Sequence, residues 1–100
     1  MEISTSVESH KATVRLAGKL TVNTVPDLSA AFDSLSLGVC DLDIDLTDMD
    51  YISSAGLRVL VTVDKRVVKR GGIMRLLHPS EEIQGVLEMT GLSELFAIER

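Results

Sequence analysis

One hundred residues carrying a formal charge of −5 make a single domain and argue against a general nucleic-acid binder. Hydrophobic residues are 45% of the chain, but only three residues are aromatic and none is Trp, so the core must be aliphatic. The lone Cys40 excludes an internal disulfide and His10 stands far from His78, so no zinc spacing is present. No apolar run is long enough to cross a bilayer, and Met1-Glu2-Ile3-Ser4 has no signal character, so a cytoplasmic protein without membrane insertion is expected.

Glu2 to Glu8 is a candidate first strand, weakly patterned by Ile3 and Val7. Ser9-His10-Lys11 reads as a turn. Ala12, Val14 and Leu16 alternate with Thr13 and Arg15, which predicts a second strand in a hairpin that ends at Gly18. Lys19 to Asn23 reads as a connection. Thr24-Val25-Pro26-Asp27 predicts a helix start: Thr24 as cap, Pro26 in the first turn, Asp27 against the dipole. Val25, Leu28, Phe32 and Leu35 form its apolar stripe, and Ser36-Leu37-Gly38 its end.

Asp41 to Leu46 alternates strictly, with Leu42, Ile44 and Leu46 on one strand face and Asp41, Asp43 and Asp45 on the other. A short acidic connection from Thr47 leads to Ser53-Ser54-Ala55-Gly56. A helix follows, with Leu57, Leu60, Val61, Asp64, Val67 and Val68 at steps of three and four, widened by Val59 and Val63. Gly71-Gly72 stops it. Ile73 to Leu77 is a further strand. Pro79-Ser80-Glu81-Glu82 starts a third helix, with Ile83, Val86, Leu87 and Thr90 inward and Gly91 as its stop. Phe96-Ala97-Ile98 is a last short strand or an extended tail. Right-handed crossovers favour parallel pairing around the helices. The predicted class is α/β: a mixed sheet of four or five strands with an edge hairpin, and three helices packed on it.

Ser53 and Ser54 admit two compatible readings. A serine at a helix start caps a free amide. A helix N-terminus also favours a phosphate through its amides and dipole, so either serine is a candidate acceptor. Gly56 is expected to leave the first turn open on one side. Among the acids, Asp41, Asp43, Asp48 and Asp50 read as a solvated edge. Asp45 is the exception, placed to brace the joint by accepting backbone amides. A receiver-like phosphoacceptor would need an early acidic pair, which the first two strands lack. Lys65, Arg66, Lys69 and Arg70 complement the dipole of the second helix. No Ser/His/Asp set, P-loop or metal-ligand set is evident, and no cofactor is expected.

The run Asp45-Leu46-Thr47-Asp48-Met49-Asp50-Tyr51-Ile52-Ser53-Ser54-Ala55-Gly56-Leu57-Arg58-Val59-Leu60 resembles the signature of STAS domains, specifically the stand-alone anti-sigma factor antagonists of bacteria. Leu16-Ala17-Gly18-Lys19-Leu20 is similar to the family's Leu-x-Gly-x-Leu turn. Gly71-Gly72 resembles its helix-ending glycine, and Leu87-Glu88-Met89-Thr90-Gly91-Leu92 its closing segment. Together these motifs span nearly the whole chain, so the resemblance makes residues 1–100 one STAS domain. It implies a non-enzymatic regulator, monomeric or weakly dimeric. Unphosphorylated, such a protein binds an anti-sigma factor, often itself a serine kinase. Phosphorylation ends that binding and a phosphatase restores it. The acceptor implied is Ser54, two residues before Gly56, with Ser53 as a second acceptor where the family often has Asp. Thr21 stands where many antagonists carry an acidic residue. The implied partner surface is Thr21, Asp45, Ser53, Ser54, Ala55 and Gly56. A further C-terminal helix, usual in the family, is expected to be missing or very short. The alternative is a non-phosphorylated STAS subunit of a larger assembly, such as a lipid transporter or a stress-signalling complex.

Overall fold

The computed structural model describes residues 1–35 and 39–100, so the end expected for the first helix at Ser36-Leu37-Gly38 lies outside the described residues. The elements are β1 (Glu2–Glu8), β2 (Lys11–Leu20), α1 (Val25–Asp33), β3 (Asp41–Ile52), α2 (Ser54–Lys69), β4 (Met74–Leu77), α3 (Glu81–Met89) and β5 (Ala97–Glu99), with a short 3-10 turn at Leu92–Glu94. The five strands lie in the order β1-β2-β3-β4-β5. β1 and β2 form the expected antiparallel edge hairpin; β2, β3, β4 and β5 run parallel. The closing segment around Ala97 is therefore a strand.

Two strands run further than their patterns suggest. β2 continues through Gly18 to Leu20, and β3 does not stop at Leu46 but extends to Ile52. The expected acidic connection is thus strand. The sequence hides it because the buried positions change step, from Leu42, Ile44 and Leu46 to Met49 and Ile52. Opposite the regular residues of β2, β3 carries one extra residue between Asp45 and Asp48 and another between Met49 and Tyr51. Each is a bulge, and each breaks the alternation by one.

Strand residues Ala12, Val14, Leu16, Leu42, Ile44, Leu46, Met74 and Leu76 share one core with Leu28 and Phe32 of α1, Leu57, Leu60 and Val67 of α2, and Ile83 and Leu87 of α3. All three helices therefore cover the same face of the sheet. The other face is polar. There Asp43 is only 7% exposed, against the expectation of a solvated edge. β3 is central, so cations from both neighbouring strands close over its carboxylate: Lys11 at 2.8 Å and Arg75 at 3.6 Å. Asp48 is paired with Arg15, and Asp41 accepts from the Ile73 amide at 3.1 Å.

α2 packs through Leu57, Leu60, Val63, Asp64 and Val67. Val68, expected in this stripe, is 59% exposed. At about 100° per residue it lies about 80° from Leu60, at the flank of the buried arc. Asp64 is inside that arc, and burial pushes its carboxyl above the ordinary 3.8. The helix ends as predicted. The Gly71 amide donates to the Val68 carbonyl at 2.9 Å and the Gly72 amide to the Val67 carbonyl at 3.0 Å, with Gly71 at φ +83°. A Cβ on Gly72 would stand 1.6 Å from the Cys40 carbonyl oxygen, so the chain crossing there requires glycine.

Candidate phosphate-acceptor and partner-binding site

β2 and β3 end side by side, Leu20 opposite Ile52, and the Ser53 amide donates to the Leu20 carbonyl at 2.8 Å. From there β2 enters the loop to α1 and β3 enters α2. Thr21 and Ser53 therefore leave adjacent strand ends, at the carboxyl edge where ligands gather in open α/β sheets. The Thr21 loop is tied internally. Its amide donates to Thr24 Oγ1 at 2.8 Å, and its carbonyl accepts from the amides of Thr24 and Val25 at 3.0 and 2.9 Å. Thr24 flanks α1 as expected but makes no side-chain cap, because its hydroxyl faces back to Thr21 and Lys19.

The structure separates the two serines. Ser53 is extended, and its Oγ accepts from the Gly56 amide at 3.2 Å, so it is the N-cap of α2. Ser54 is the first helical residue, is exposed, and has no hydroxyl partner among the described residues. The first turn of α2 contains no acidic residue. Ala55 is half-buried beside them.

Gly56 is buried, and here the expectation of an open side is corrected. A Cβ would stand 2.6 Å from Leu20 Cγ and 3.1 Å from Ile52 Cγ1. Glycine lets α2 settle onto the strand ends, so its role is packing. Asp45 is corrected too. It lies seven steps before Ile52, roughly 20 Å along the strand at about 3.3 Å per residue. It braces the first bulge: its Oδ1 accepts from the Thr47 amide at 2.9 Å and from Thr47 Oγ1 at 2.5 Å. Burial works to raise its pKa, but those two bonds, with the charges of His78 and Arg15, outweigh it and hold the carboxyl below 3.8.

Sequence reasoning missed two exposed apolar side chains at this edge. Val22, in the Thr21 loop, is 68% exposed, and Tyr51, next to the end of β3, is 50% exposed. Val22 carried a signal, an aliphatic residue in a connection between two elements. Tyr51 carried none, since its orientation depends on the bulges. Between α1 and α2 a groove of about 180 Å³ runs along Phe32, Arg58, Val59 and Thr62.

Comparison with known proteins matches this chain to a family and to several relatives. The family model of the STAS domain matches residues 2–100. The anti-sigma-B factor antagonist of Bacillus subtilis (strain 168) is 35% identical over 85 residues, 85% of this chain and 78% of that protein. An anti-sigma factor antagonist from Mycobacterium paratuberculosis superposes with a TM-score of 0.86 at 20% identity, over 98% of this chain and 84% of that one. The Bacillus cell fate determinant SpoIIAA in its phosphorylated form superposes with a TM-score of 0.77 at 18% identity, over 99% and 92%. With the five-stranded mixed sheet, the one-sided helical layer and the serine-capped α2 in place, the chain belongs to the STAS domain family.

Proposed function

We propose that this chain is an anti-sigma factor antagonist, a non-enzymatic cytoplasmic regulator whose partner surface is the carboxyl edge of β2 and β3. The observation that carries the reading is the division of labour between the serines: Ser53 is committed to capping, while Ser54 is exposed and its hydroxyl has no partner among the described residues. The Bacillus subtilis relative, named an anti-sigma-B factor antagonist, supports the choice of partner. Thr21, Ser53, Ser54 and Ala55 form the contact, with Val22 and Tyr51 as its apolar part. Asp45 and Gly56 support it from within the fold.

Ser54 is the switch. A serine kinase transfers the terminal phosphoryl group of a nucleoside triphosphate to it. The Ser54 Oγ–P bond forms, the bond to the leaving diphosphate breaks, and the hydroxyl proton passes to a base on the kinase. A phosphatase reverses the state by hydrolysis. The phosphate adds about −1.5 to −2 charges at neutral pH. Burying that charge in an interface without a cation is costly, so the partner is released while the fold persists.

Phosphosite mapping after incubation with the cognate kinase tests this, paired with binding assays. Ser54→Ala is expected to bind and to resist phosphorylation; Ser54→Asp is expected to fold and to bind poorly. Stoichiometric phosphate on Ser53 would move the switch by one residue. No phosphate on either serine, with Ser54→Asp binding as wild type does, would sink the switch in favour of a constitutive subunit.

A further inference from the structure

Arg58 lies one turn beyond Ser54 on α2. Residues four apart on a helix are surface neighbours, with Cβ atoms about 5–6 Å apart. Arg58 lines the groove toward α1, and because long helical side chains lean toward the helix N-terminus, the turn that carries Ser54 is within its reach. It is the only charged residue from Ser54 to Val61 and is exposed. Arg15, Arg66 and Arg75 are each paired with a carboxylate, to Asp48, Asp33 and Asp43. Arg58 has no ion pair or side-chain hydrogen bond among the described residues. Its backbone carbonyl accepts from Thr62 Oγ1 at 3.0 Å, which leaves the guanidinium uncommitted. The Asp33–Arg66 pair further along the groove is closed on itself at 3.2 Å.

We propose that Arg58 is the built-in counter-charge of the switch, its guanidinium folding back one turn to hold the phosphate of phosphorylated Ser54. This rests on the reading of Ser54 as the acceptor. The planar fork of arginine matches two phosphate oxygens, which a lysine would meet as a point charge only. The phosphorylated protein then keeps its new charge against its own helix, and the guanidinium is withdrawn from the surface that the partner would meet.

The full chain carrying phosphoserine installed directly at position 54, which needs no kinase, decides the matter. Phosphorus NMR follows the second ionisation of the phosphate, ordinarily near pH 6. With Arg58 present it should fall roughly 0.3 unit below its value in the Arg58→Gln protein. Arg58→Lys should recover part of that difference, and Arg70→Gln, at the far end of α2, none of it. Phosphoserine moved to position 53, five residues from Arg58 and off its face, should titrate alike with and without Arg58. Equal titration of the wild-type and Arg58→Gln proteins would overturn the clamp, as would the same Arg58 dependence at position 53. Failure of the underlying reading looks different: the phosphoserine-54 chain would bind its anti-sigma partner undiminished, whatever the titration shows.

Discussion

The starts of α2 and α3 share one cap and differ in everything after it. Ser53 and Ser80 are both extended, with ψ 169° and 167°, and each accepts from the amide three residues on at 3.2 Å. After the cap, α3 continues with Glu81 and Glu82, which meet the positive end of its dipole with their own carboxylates. α2 continues with Ser54, Ala55 and Gly56 and has no carboxylate in its first turn. A capping serine is therefore a structural device that says little about function. What sets α2 apart is an exposed hydroxyl at its first position that has no partner among the described residues, in a first turn without acid.

The glycines of the two helices should give the largest contrast. Gly56→Ala forces a methyl onto Leu20 and Ile52, and overpacking of this kind costs about 1–3 kcal/mol. Gly85→Ala in α3 meets nothing within 4 Å and should gain about 0.5–1 kcal/mol by helix propensity. Denaturant unfolding of both variants checks the pair; a Gly56→Ala protein as stable as wild type would remove the packing role of Gly56.

The caps should behave alike. Ser53→Ala and Ser80→Ala are each expected to cost about 1 kcal/mol, while Ser54→Ala leaves the unfolding midpoint nearly unchanged. A loss at Ser54 equal to that at Ser53 would erase the distinction between the two serines.

The helices also store acid differently. α3 keeps its glutamates at an exposed end, whereas α2 buries Asp64. A carboxyl raised above 3.8 by burial costs stability once ionised. That cost is absent below pH 3.8, grows as pH rises through the folded-state value, and is fully present at neutral pH. Asp64→Asn should therefore raise the melting temperature at pH 7, with the gain fading as pH falls toward 3.8. Melts at pH 4 and pH 7 read this directly. The smallest effect concerns the dipole itself. Ser54→Asp should stabilise the free protein by about 0.3–1 kcal/mol, and Glu81→Gln should destabilise it by a similar amount, both shrinking in high salt.

The hairpin and the helix starts were legible because their signals are local: the alternation of Ala12, Val14 and Leu16, and the small polar residues ahead of Leu57 and Ile83. The far half of β3 was not, because two bulges turned its alternation into steps of three that match neither regular period. Asp43 looked solvated because Lys11 and Arg75, which close over it, lie some thirty residues away in sequence on either side. Gly56 looked open for the same reason, since the side chain it accommodates belongs to Leu20. At the site, residue chemistry left Ser53 and Ser54 equivalent and the family resemblance favoured Ser54. Only the bond from the Gly56 amide to Ser53 Oγ assigns the cap to one of them.

The two bulges in β3 leave the chain two residues of slack. Val14 stands opposite Ile44, and an unbroken ladder would set Leu20 opposite Asp50; Ile52 stands there instead, because two residues are absorbed on the way. Deleting Thr47 would close the first bulge, and deleting Asp50 the second. In either case the alternation becomes regular there, Met49 and Ile52 stay inward, and Ile52 stays opposite Leu20. The apolar seat that receives Gly56 would persist. Natural length variation in this segment should therefore come in single steps, up to the two residues that the bulges hold.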